Sequence, residues 1–228
     1  MALVNKHGGG GRAETSAKTR QVYLALEFTV FFFALPSLCL HFRDRIHPIS
    51  AIWCFAFVIA WLLKRDGYFA RGCFWGEHPS RKQLLFMLGR FALGAVALGL
   101  ITVYYQPGRF LAFPRTRPVA WFVFSLSYPI FSALPQGIVF RAFIFHRYEE
   151  LFGNGWAMVS ASGLVFCYAH IIYRNPVALL LTLAGGFMFA HTYLRSASLW
   201  FSSIEHALYG DLVFTMGLGY YLYSGAIH

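Results

Sequence analysis

The chain has 228 residues, of which 58% are hydrophobic and only 12% charged, and its mean hydropathy is +0.54. Soluble domains carry about 25% charged residues, so this composition excludes an ordinary water-exposed surface. The net charge of +10 lies mainly in the N-terminal segment and between apolar runs, the pattern of membrane topology and not of nucleic-acid binding.

In chain order, residues 1–20 are polar and glycine-rich and read as a flexible cytoplasmic tail, with no apolar core that would make them a cleavable signal. Crossing the hydrocarbon layer takes about 20 mostly apolar residues. Such runs cover 22–42, 48–63 and 83–105, separated by charged loops at Arg43-Asp44-Arg45 and Lys64-Arg65-Asp66. The next apolar stretch, 119–148, is too long for one ordinary span and holds Pro129 and Pro135. Because proline lacks an N–H and clashes with the preceding turn, the reading is a helix to about 127 and a second from 135. Further helices are predicted at 156–173, 176–194 and 198–223, the last interrupted near Gly210.

The fold class is therefore all-α, a polytopic transmembrane bundle of about six to eight helices. It divides into the tail, N-terminal spans over 21–118 and a core over 119–228. Lys and Arg concentrate on the side of the tail and the 64–82 loop, which predicts a cytoplasmic N-terminus. A bacterial plasma membrane is the expected location. Cys39, Cys54, Cys73 and Cys167 lack metal-type spacing and read as unpaired small hydrophobes.

Ionisable groups at bilayer depth are costly and seldom face lipid. Those that matter here are Arg141 with Gln136, then His170, then Glu205, His206 and Asp211. Arg141 cannot deprotonate and must find acceptors, and a buried Glu205 or Asp211 must find donors, with the histidines and Arg141 the natural partners. Glu27 and His191 are single polar groups expected to make packing or interhelical contacts, and Glu149-Glu150 is expected to mark an interfacial helix end.

In order and spacing, Gln136-Gly137-x-x-Phe140-Arg141, Phe166-x-x-x-His170 and Ser198-Leu199-Trp200-x-x-x-x-Glu205-His206 resemble the motifs of the CPBP family, the CAAX prenyl proteases and bacteriocin-processing (Abi) intramembrane proteases. In that family the motifs are Glu-Glu-x-x-x-Arg, Phe-x-x-x-His and His-x-x-x-Asn or Asp. The resemblance implies an intramembrane endopeptidase that cuts a membrane-associated or lipidated substrate with a histidine-held water.

It further implies Gln136, Arg141, His170 and His206 as site residues, with His170 and His206 as ligands should a divalent metal such as zinc take part. The expected partners are membrane lipid and a membrane-tethered peptide or protein. The chain departs at the centre, since Gln136-Gly137 replace the paired glutamates and Gly210 replaces the final Asn or Asp. An amide orients a water but cannot take its proton. Glu205 or Asp211 would have to act as base, or the chain is an inactive relative that serves as a membrane binding, chaperone or immunity protein.

Overall fold

The computed structural model describes residues 10–68, 76 and 78–222. Among these, the chain is helical, without a strand. Six helices are long and apolar enough to cross a membrane: α1 (Ser16–His41), α2 (Pro48–Arg65), α3 (Arg81–Tyr105), α4 (Pro118–Arg147), α5 (Trp156–Tyr173) and α6 (Pro176–Ser196). A seventh, α7 (Leu199–Met216), carries Glu205, His206 and Asp211. The molecule is an all-α polytopic bundle and an integral membrane protein.

Three boundaries differ from the sequence reading. Helix already begins at Gly10, inside the segment expected to be a tail, because Ala13-Glu-Thr-Ser-Ala-Lys18 holds no helix breaker; residues 1–9 lie outside the described residues. Second, α4 runs unbroken through both prolines. It does so by widening into π-helical turns at Pro129–Ala133 and Ile138–Phe143, a geometry that makes room for a proline ring without ending the helix. Neighbouring side chains bind carbonyls in these turns: Trp53 Nε1 donates to the Phe131 carbonyl at 3.0 Å and Ser162 Oγ to that of Phe140 at 2.6 Å.

The third difference is α7, which passes straight through Gly210 and ends at Gly217, where φ is +95°. Gly210 admits a neighbour instead of breaking the helix. A Cβ there would overlap Cε1, Cζ and the hydroxyl of Tyr128.

In the bundle, α5 lies along α6, α7 packs on α6, α4 and α3, and α2 packs on the second π turn of α4. Where α5 and α6 meet, Gly163 and Gly186 put backbone against backbone: a Cβ on Gly186 would stand 2.8 Å from the Gly163 carbonyl oxygen. Small residues of this kind let membrane helices approach closely. The tight α6–α7 turn is fixed by Ala197 in the left-handed region (φ +48°) and by Ser198, whose side chain accepts from the Phe201 N–H and so caps α7. That turn sets the rotation of α7 and hence the directions of Glu205 and His206.

Outward faces are apolar. Leu93, Leu100 and Val119 are 72%, 65% and 76% exposed, tolerable only against lipid. The expected interhelical contacts are also in place. Glu27 accepts from Arg147 Nε and Nη2, both at 2.9 Å, and from the Tyr148 hydroxyl at 3.1 Å, tying α1 to the end of α4. His191 stacks on Trp156. Glu149 begins a short helix beyond α4, and Glu150 pairs with Arg20 at 2.8 Å. Cys39, Cys54 and Cys167 are free thiols; Cys73 lies outside the described residues.

Candidate active site

A cavity of about 420 Å³ opens between α1, α2, α4 and the end of α5. Its walls are almost entirely apolar, including Phe31, Leu35, Ile52, Phe55 and Phe140. Its polar lining includes Ser132 and Gln136 from α4 and His170 and Tyr173 from α5.

His170 begins the tight last turn of α5, and its Nδ1 lies 2.7 Å from the Phe166 carbonyl oxygen. A carbonyl only accepts, so Nδ1 carries the proton and Nε2 keeps the lone pair. Gln136 Nε2 donates to Ser132 Oγ at 2.9 Å, one turn earlier on α4. Gln136 Oε1 has no hydrogen-bond partner among the described residues. His170 and Gln136 thus bring to this wall an unprotonated ring nitrogen and a buried amide oxygen without a partner.

Arg141 and His206 form a separate, dry pair. Arg141 is 1% and His206 4% exposed, and Arg141 Nη2 lies 3.0 Å from His206 Nδ1. A guanidinium has no acceptor, so Nδ1 accepts and the His206 proton resides on Nε2. The Arg141 cation lies over the Phe166 and Phe189 rings at 5.2 and 5.3 Å, and His206 stacks on Phe189 at 4.7 Å. Aromatic faces suit a cation withdrawn from water. Phe166 touches both histidines, with ring centroids 4.7 Å from His170 and 5.4 Å from His206. The two imidazoles therefore flank one ring, and His170 alone reaches the cavity wall.

Glu205 is elsewhere. One residue along an ideal helix turns about 100°, so Glu205 faces α3 while His206 faces α4. Its carboxylate is fully buried and bound by Arg90, which also donates to Thr192 Oγ1 at 2.9 Å. The sequence reading offered Glu205 as a base; the structure gives it an ion-pair partner and no place on the cavity. Asp211 does not line the cavity either, since the break at Gly210 that would have turned it inward does not occur.

The missing glutamate at Gly137 also has a local explanation. A Cβ there would lie 2.5 Å from Ser203 Oγ and 3.1 Å from Leu199 Cδ1. The position faces α7 across a closed seam and not the cavity.

The residues present do not suit a divalent metal. Catalytic zinc takes three protein ligands and keeps a fourth position open, whereas no three His, Cys, Asp or Glu converge among the described residues. Of the two histidines proposed as ligands, His206 already holds a guanidinium on Nδ1.

Tyr128 and Ser132 went unnoticed in the sequence. Tyr128 reaches His206 Nε2 at 3.5 Å, and Ser132 Oγ accepts from Gln136. A tyrosine in an apolar run carries no motif. The only signal was the bare Gly210, which implied that some other side chain fills that space.

Residues 118–210 match the family model of type II CAAX prenyl endopeptidases, described as Rce1-like. Over this segment, less than half of the chain, the protein is similar to the Rce1-like family. The match agrees with the CPBP resemblance of the motifs and runs from the start of α4 to Gly210 on α7. The Rce1-like segment supplies Ser132, Gln136, His170 and Tyr173, while α1 and α2, which complete the apolar walls, lie outside it. No curated protein and no solved structure is matched by the chain.

Proposed function

We propose that the chain is an intramembrane endopeptidase of the CAAX-protease type, acting on a membrane-associated or lipidated peptide, with His170 as general base. The observation that supports this reading is that His170 and Gln136, both in the Rce1-like segment, line one apolar cavity.

Gln136 turns its buried Oε1 toward the cavity to accept one hydrogen of a water, whose second hydrogen points to His170 Nε2. The imidazole takes that proton as the water oxygen attacks the scissile carbonyl. When the tetrahedral intermediate collapses, the C–N bond breaks and the imidazolium returns the proton to the leaving amine. The Phe166 carbonyl stabilises the transient charge because it accepts from Nδ1. The apolar walls hold the lipid or the apolar part of the substrate, and no metal enters the scheme. Arg141 acts at one remove, by fixing His206. The N-terminus is cytoplasmic, on the side richer in Lys and Arg.

A second reading, an inactive relative that binds a membrane protein or lipidated peptide, is favoured by one observation: among the described residues no carboxylate lines this cavity. Both are tested with purified protein in detergent and a panel of membrane-tethered peptides, prenylated CAAX peptides included. General base catalysis is worth about 10²–10⁴ in rate, so His170→Ala loses a factor of that order while Gln136→Glu, which puts a carboxylate on the cavity, gains. If wild type and Gln136→Glu are both inert yet a photoreactive peptide crosslinks into the cavity, the chain is a binding protein and the endopeptidase reading fails.

A further inference from the structure

We infer that the cavity takes its peptide from the end of the bundle opposite the N-terminus, and that Arg43, Arg45 and Arg174 hold a carboxylate at the end of that peptide. The inference rests on the reading of the cavity as a peptide site, and adds the side of entry and the charge of the ligand.

Three stretches of the cavity wall border loops at one end of the bundle. Leu35, Pro36 and Cys39 lie in the last turns of α1, Pro48 and Ile49 begin α2, and Ile172 and Tyr173 end α5. The last turns of α1 pack on the last turn of α5. Ser37 Oγ and the Tyr168 hydroxyl, 2.9 Å apart, share a hydrogen bond beside them. Because the spans alternate in direction, loops 42–47, 106–117 and 174–175 all lie on the face opposite the start of α1.

Charge divides the two faces. These three loops hold Arg43, Arg45, Arg109, Arg115, Arg117 and Arg174, no lysine, and Asp44 as the one acid. The acids Asp66, Glu149 and Glu150 stand at the other end. Lys and Arg normally gather on the cytoplasmic side, so arginines held on the far face against that bias point to a local use. Arginine, unlike lysine, meets a carboxylate with two parallel N–H bonds.

Three of the six border the cavity. Arg43 and Arg45 shortly precede Pro48, and Arg174 directly follows Tyr173. Arg45 and Arg174 are exposed, and among the described residues neither has an acid partner; Arg43 has only a long contact with Asp44, at 3.6 Å. A lipid tail in the cavity would set hydrocarbon against His170 and Gln136, whereas a peptide brings N–H and C=O groups to that wall. The occupant that suits both wall and rim is an apolar peptide ending in a carboxylate, and not a phospholipid.

The test uses the full-length protein in neutral detergent and one short, lipidated apolar peptide, made with a free C-terminal carboxylate and as its amide. The acid should bind about tenfold more tightly, the effect of one charge-assisted hydrogen bond. Arg45→Gln/Arg174→Gln should bind both forms alike, and Arg45→Glu/Arg174→Glu should instead prefer the same peptide ending in a lysine amide. Arg109→Gln/Arg115→Gln, on the same face but away from the cavity, should keep the preference for the acid. A benzophenone beside the carboxylate should crosslink to 39–49 or 170–175.

Equal binding of acid and amide by wild type overturns the inference, and if phosphatidylglycerol then stabilises wild type but not Arg45→Gln/Arg174→Gln, the arginines hold lipid phosphate. Loss of the preference in Arg109→Gln/Arg115→Gln also overturns it, by making the effect one of overall charge, as does a crosslink at 64–68 or 148–155. If neither peptide binds, the cavity reading falls with it. Selective binding of the acid without cleavage sustains the inference and ends the endopeptidase reading alone.

Discussion

Replacing Gly137 by glutamate would restore the second residue of the CPBP family's first motif, and from the motif alone it would be expected to supply the missing carboxylate. The structure predicts the opposite. The first added atom lies 2.5 Å from Ser203 Oγ and 3.1 Å from Leu199 Cδ1, with Ser203 5% and Leu199 0% exposed. For Gly137→Ala the Ser203 hydroxyl can turn away, so the cost stays at the low end of overpacking, about 1 kcal/mol. Glutamate must also fit Cγ and a carboxylate between α4 and α7. Overpacking of about 1–3 kcal/mol then adds to several kcal/mol for an unpaired buried carboxylate. The sum exceeds about 4 kcal/mol, a large part of the about 5–15 kcal/mol that holds a folded domain together. Thermal unfolding in detergent, followed by tryptophan fluorescence and size-exclusion profile, is the assay. Gly137→Glu should melt far below wild type, and Gly137→Glu/Ser203→Gly should regain part of the difference. A Gly137→Glu protein that stays monodisperse, melts like wild type and cleaves faster would refute the reasoning about this seam.

Two other substitutions probe the frame that holds the site. Arg90→Met leaves Glu205 buried without its cation and should cost about 3–5 kcal/mol in detergent unfolding, whereas Arg90→Met/Glu205→Leu should recover most of it; equal loss in both would remove the ion pair as the cause. Gly217→Ala places a side chain at φ +95° and against the Arg109 carbonyl, so the same assay should register a loss of about 1–3 kcal/mol, and a neutral result would contradict the assigned helix end.

How legible the protein was in its sequence differs by level. Apolar runs of spanning length fix the class of fold because a bilayer offers no partner for bare backbone, so each run must become a helix. The ranges of α2, α3, α5 and α6 followed from where charge and proline interrupt those runs. Glu27 and the buried Arg141 announced themselves as polar groups that require partners, and the motif spacing pointed to Gln136, His170 and His206.

Tertiary structure decided which of these groups meet. Pro129 and Pro135 read as a break, yet packing against α2 and α5 supplies bonds that let α4 continue through π turns. Glu205 and His206 are neighbours in sequence, but the helix sends one to Arg90 and the other to Arg141. Gly137 and Gly210 read as lost chemistry, and in space they are notches filled by Ser203 and Tyr128 from facing helices. Sequence spacing fixes a residue's angle on its own helix; its partner depends on how helices are rotated and shifted against one another, which only the packed bundle determines.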